Sequence, residues 1–93
     1  MVVGVLEVDL SLAENHSLKG KRQVLRAVKD RVRNHFNVSI AEVEGHDLWQ
    51  RSTLGIACVS TDRSHANEIL SRVVKFIEEM RLADVTDYRI GLV

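Results

Sequence analysis

Residues 10–29 read "LSLAENHSLKGKRQVLRAVK", and the fold turns on where their rhythm changes. Upstream, in "VVGVLEVDLSL" (Val2–Leu12), Gly4, Leu6, Val8, Leu10 and Leu12 fall on one side. Val3, Val5, Glu7, Asp9 and Ser11 fall on the other. Strand residues alternate faces, so one wholly apolar side predicts a strand covered on one face. The polar run Glu14–Ser17 ends it, and Ser17 is a residue type that caps helices by accepting from an orphan amide. From Leu18 to about Phe36 the spacing becomes three, four or seven, through Leu18, Leu25, Val28, Val32 and Phe36. That is one side of a helix.

Working outward, "NVSIAEV" (Asn37–Val43) and "STLGIACVS" (Ser52–Ser60) are strand candidates joined by the turn-like "EGHDLWQR". Their nearness predicts an antiparallel hairpin. Asp62 or Ser64 can cap a second helix, with Ala66, Ile69, Leu70, Val73, Ile77 and Met80 as its inner stripe. "DVTDYRIGLV" closes the chain as a fourth strand with Thr86, Tyr88, Ile90 and Leu92 on one side. Strand, helix, strand, strand, helix, strand predicts a single α+β domain over residues 1–93. It is a ferredoxin-like βαββαβ sandwich, a four-stranded antiparallel sheet with both helices on one face.

The 93 residues suffice for one core. Equal numbers of basic and acidic residues, 13 each, exclude a uniformly basic nucleic-acid binder but not a local patch. The lone cysteine, Cys58, lies in an apolar run and is read as a small buried hydrophobe. No segment reaches membrane-spanning length and no basic leader precedes an apolar stretch, so the expected compartment is the cytoplasm, with no membrane partner. Histidines 16, 35, 46 and 65 lack zinc-site spacing, and neither a metal nor any other cofactor is expected.

Charge is unevenly placed. Between Ser17 and Val38 stand seven Lys or Arg and one acid, Asp30, leaving +6 there and −6 elsewhere. Lys19, Arg22, Arg26, Lys29 and Arg33 follow at steps of three and four, which makes one stripe beside the apolar one, with Lys21 close by. Like charges so placed repel by a few tenths of a kcal/mol per neighbouring pair. A polyanion would relieve that repulsion; the bland alternative is a solvated helix whose arginine stems cover core edges. Gly20-Lys21 is not a phosphate loop, because Asn15 replaces the first glycine and Arg22 the required hydroxyl. No nucleophile–base set shows in the spacing, so an enzyme is not expected.

Trp49, the only tryptophan, is either an anchor for the hairpin connection or a base-stacking contact helped by Arg51. The sheet face away from the helices carries Val3, Val5, Val43, Ala57 and Val59. It is too apolar for plain solvation and points to a homo-oligomer, a dimer being simplest. That face lacks the stacking aromatics of RNA-recognition sheets, so RNA would be met through the helix and loops.

"SLKGKRQVLRAVKDRVRNHFNVSIAEV" (17–43) and "HDLWQRSTLGIACVSTD" (46–62) resemble the YlxP-like family of small bacterial proteins of unknown function. The markers are Ser17-Leu18-Lys19, Lys21-Arg22, Phe36-Asn37-Val38-Ser39 and Asp47-Leu48-Trp49-Gln50-Arg51. The resemblance runs nearly end to end. It implies a ferredoxin-like fold without established catalysis. Because family members are often encoded near translation-initiation and ribosome-maturation factors, it also implies ribosome-linked work. Ribosomal RNA or a ribosomal subunit is then the expected partner, without DNA sequence specificity. Gly20 departs from the acidic residue more usual there, which makes the loop more positive and flexible. The family offers no agreed site residues. The candidates Lys19, Lys21, Arg22, Arg26, Lys29, Arg33, Trp49 and Arg51 therefore rest on charge and spacing.

Overall fold

A computed structural model describes all of residues 1–93. The elements are β1 (Val2–Ser11), α1 (Leu18–His35), β2 (Ser39–Glu44), β3 (Arg51–Ser60), α2 (Arg63–Met80) and β4 (Asp84–Leu92). They form an antiparallel sheet in the order β2-β3-β1-β4, the ferredoxin-like arrangement expected from the element order. The period-two side of β1 is buried as anticipated, with Leu6, Val8, Leu10 and Leu12 in the core. Leu54, Ile56 and Cys58 join them from β3, and both helices close over this side.

Each helix starts where a polar side chain takes an otherwise unpaired amide. Ser17 Oγ accepts from Gly20 N at 3.0 Å. Asp62 Oδ2 accepts from His65 N at 3.0 Å, so Asp62 rather than Ser64 is the second cap. The inner stripe of α2 runs through Ala66, Leu70, Val73, Val74 and Ile77, while Ile69 and Met80 are only partly covered.

At Gly4, α2 packs closely on the sheet. A Cβ there would lie 2.9 Å from both Cys58 Sγ and Leu70 Cδ1. Gly4→Ala is expected to cost about 1–3 kcal/mol by overpacking, read as a lower urea midpoint at unchanged slope.

Two bulges alter the alternation. One, where β4 passes Asp9 and Leu10, sets Val85 opposite Leu10. Val85 therefore packs against the core in place of Thr86, whose hydroxyl instead donates to Asp9 O at 3.2 Å. The expectation that Thr86 shares one side with Tyr88, Ile90 and Leu92 is thus corrected: one extra residue shifts the strand's facing. The second bulge falls between Glu42 and Glu44 and leaves Val43 unpaired and 46% exposed.

On the face away from the helices, Val5 and Val59 are 38% and 66% exposed, and Val3 and Ala57 are half-buried beside them. The other half of that face is polar. Arg89 donates to Glu7 at 3.2 Å and to Asp9 at 3.1 Å, and Thr53 Oγ1 donates to Asp9 at 2.8 Å. Those hydrogen bonds, Arg89 first and Thr53 second, hold the Asp9 carboxyl below its ordinary value. No helix is long and apolar enough to cross a membrane.

Candidate nucleic-acid interface

The six candidate cations of α1 divide into three groups. Lys21 occupies an inward position: Lys21, Leu25, Val28 and Val32 repeat at steps of four, three and four and are the buried residues of the helix. Lys21 is 1% exposed. Its Nζ donates to Leu48 O at 2.7 Å, to Gly45 O, and to Glu42 Oε2 at 2.9 Å. Three acceptors match the three N–H donors of an ammonium group. The expectation that Lys21 meets a polyanion is therefore corrected, because its side chain is spent on the β2–β3 connection.

Glu42 reaches the same pocket from β2, where Ile40 and Glu42 both face the helices. Burial pushes its carboxyl up. Hydrogen bonds from Ser52, at 2.7 Å, and from Lys21, with the Lys21 charge, outweigh burial and hold it below its ordinary value.

Arg33 is partly engaged. Its Nη2 donates to Ile40 O at 3.0 Å, and Nη1 lies 3.5 Å from Asp30. The first contact caps a carbonyl of the edge strand β2, a place where sheets otherwise invite pairing.

Lys19, Arg22, Arg26 and Lys29 form the third group, and none has an acidic partner within 4.0 Å. Arg22, Arg26, Lys29 and Arg33 line one shallow groove of about 460 Å³, with Asp30 and Glu42 on its wall. Since Glu42 belongs to β2, the groove runs along the β2 flank of α1. With a rise of about 1.5 Å per residue, Arg22 and Arg33 are roughly 16 Å apart along the axis. The steps of three and four thus do bring Arg22, Arg26, Lys29 and Arg33 to one flank, while Lys21, expected close by, turns inward.

Arg51 does not belong to it. Alternation along β3 places Arg51 with Thr53, opposite Ser11 and Asp9, on the sheet face away from α1. It lines a cleft there with Glu44, Thr86 and Arg89. The grouping of Arg51 with the helix cations is corrected accordingly.

Trp49 is 54% exposed, so it does not anchor the hairpin connection. That work falls to polar contacts. Asn15 Nδ2 donates to Trp49 O at 2.6 Å and to Ser17 O at 2.7 Å. Gln50 Nε2 donates to Ala13 O and Asn15 O, each at 3.1 Å, and Leu12 N donates to Gln50 O at 2.9 Å. Gly20 has a role here that charge alone did not reveal: a Cβ on it would sit 2.3 Å from Asn15 Oδ1. A bare Gly20 leaves room for the side chain that joins the two loops.

Ser60 Oγ lies 3.2 Å from His65 Nδ1, a pair that spacing did not disclose. Ser60 Oγ also accepts from Asp62 N, and the Asp62 carboxylate takes the main-chain amide of His65 rather than its ring. The ring therefore has no carboxylate to orient it as a base, and the three residues serve the start of α2.

A ferredoxin-like domain with a cationic flank on its first helix is the class these observations define. Residues 3–90 match the family described as protein of unknown function (DUF503), and the chain belongs to that family. It is similar to a Bacillus subtilis (strain 168) protein named "Uncharacterized protein YlxP", 43% identical over 77 residues, covering 83% of this chain and 84% of that one. Among solved structures, the de novo designed protein Foldit4 superposes with a TM-score of 0.52 at 10% identity, covering 99% of this chain and 94% of its own. The designed protein Ferredog-Diesel gives 0.50 at 11% identity, covering 96% and 83%. Designed proteins share the backbone and inform the fold alone.

Proposed function

We propose that this protein is a non-enzymatic accessory factor that binds structured RNA, in a ribosomal particle, through the β2 flank of α1. The observation that carries the reading is the row Lys19, Arg22, Arg26 and Lys29, cationic and without intramolecular partners. An 18-residue helix that keeps such a row unneutralised accepts mutual repulsion that a phosphate backbone removes. The encoding context common among YlxP-like proteins supports the ribosomal setting.

Phosphate contacts release counterions, so affinity should fall steeply with salt. The test is a titration of a labelled RNA hairpin, and of purified ribosomal subunits, across a range of salt concentrations. With four contacts, the slope of log affinity against log salt on a duplex is expected near −3.6, about −0.9 per phosphate. Absence of binding to either, or binding indifferent to salt, would overturn the proposal.

A second reading has its own observation in the exposed Val5, Val43 and Val59 on the open sheet face. In this reading the protein is a homodimer joined through that face, with Val3 and Ala57 beside them. Sedimentation at tens of micromolar is expected to show a dimer that Val59→Lys returns to monomer, since an unpaired charge in an apolar contact is costly. A wild-type monomer under those conditions removes this reading.

A further inference from the structure

The indole of Trp49 is half exposed on a connection whose main chain is held on several sides. Apolar surface of that size gains by burial, and a mobile loop could fold it inward. Here the loop is prevented from doing so. Lys21 fixes Gly45 and Leu48 from beneath, and Asn15 fixes Trp49 itself to the residues just before α1. The same Asn15 side chain bonds Trp49 O and Ser17 O, so it holds the Trp49 main chain beside the N-cap of α1, the end of the helix that carries Lys19 and Arg22.

From this juxtaposition we infer that Trp49 is a stacking platform for an unpaired nucleobase of the RNA whose phosphates lie along α1. The preferred ligand is an RNA helix interrupted by an unpaired nucleotide. The inference rests on the RNA-binding reading given above and adds a substrate class to it. Three features fit. A residue whose main chain is already held loses less freedom on stacking, and stacking tolerates any base. The α1 groove itself contains only arginine, lysine, acids and Leu25, with no aromatic, so it supplies phosphate contacts and no base contacts. The tryptophan's own loop is otherwise mostly polar in sequence: His46, Asp47 and Gln50 flank it, and the half-exposed Leu48 is the one large apolar residue beside it. At 54% exposed, Trp49 is open to an incoming base.

Trp49 is the chain's only tryptophan, so its fluorescence reports on this residue alone. The experiment compares two labelled RNA hairpins of equal stem, one with an unpaired bulge and one fully paired. Anisotropy measures affinity, and tryptophan emission is recorded in the same titration. The bulged hairpin is expected to quench Trp49 and to bind Trp49→Ala about tenfold or more weakly. Trp49→Phe should recover much of that loss. The paired hairpin should bind wild type and Trp49→Ala alike. Circular dichroism and the urea midpoint verify that the variant is folded.

Unchanged emission, or equal affinity of wild type and Trp49→Ala for the bulged hairpin, overturns the inference while salt-dependent binding leaves the RNA reading standing. If Trp49→Ala spares RNA binding but dissolves a dimer in sedimentation, the residue is a protein contact and the inference is wrong. Failure of the wild type to bind either hairpin ends both.

Discussion

Lys21→Met is expected to lower stability by about 3 kcal/mol or more, within the range of roughly 3–5 kcal/mol seen when one partner of a buried ion pair is removed. The lower end is appropriate because the Glu42 side chain retains 16% exposure, whereas Lys21 retains 2%. Removing the ammonium leaves a half-buried carboxylate without its counter-charge and two carbonyls, Gly45 O and Leu48 O, without their donor. A chain of this length has a total stability of only about 5–14 kcal/mol, so the urea midpoint should move by roughly 1–3 M. Lys21→Met combined with Glu42→Leu should be more stable than Lys21→Met alone, because it removes the orphaned charge.

Acid reveals the same linkage. Glu42 is depressed in the folded protein, so its contribution is complete above its ordinary carboxylate value and is lost as pH falls through the lowered one. In Lys21→Met, burial acts unopposed by the ammonium, and the unpaired carboxylate should be relieved by protonation. The gap between wild type and variant should therefore narrow below about pH 4–5. A gap that widens on acidification would show that Lys21 contributes by packing and not through its charge.

Arg22→Glu/Arg26→Glu is expected to weaken RNA binding about a hundredfold at low salt. Charge-assisted hydrogen bonds contribute about 1.5 kcal/mol or more each, and two of them amount to roughly 3 kcal/mol. Repulsion from the two new carboxylates adds to the loss. Both side chains are exposed and lack an ion pair within the molecule, so folding stability should change little. The salt slope should fall by about two, one for each phosphate contact removed. Equal affinity and equal slope for the variant and wild type would return the row to a solvated helix face. Asp30→Lys is the useful converse. It removes an acid from the groove wall and the Arg33–Asp30 pair, and should tighten binding without a stability cost above a few tenths of a kcal/mol.

Element order and facing were legible in the residues because they follow from local periodicity. A strand's side chains alternate and a helix's return every three or four positions, so β1 and both helices disclosed their inner faces unaided. Even Lys21 carried a signal. It stands in phase with Leu18, Leu25, Val28 and Val32, just as Glu42 stands in phase with Ile40, and two in-phase opposite charges on adjoining elements imply a buried pair. Net charge along the helix does not carry this signal, because it is blind to the side each cation occupies.

What only the tertiary structure decided was which distant groups meet. The Lys21 contacts to residues 24 and 27 positions away, the Asn15 tie to Trp49, and the removal of Arg51 to the other sheet face all depend on how a hairpin connection settles over a helix start. The bulges that turn Val85 inward and leave Val43 outside have the same origin. Periodicity orients a side chain relative to its own element. Strand register, bulge position and loop path arise from long-range pairing and closure, which no local repeat encodes.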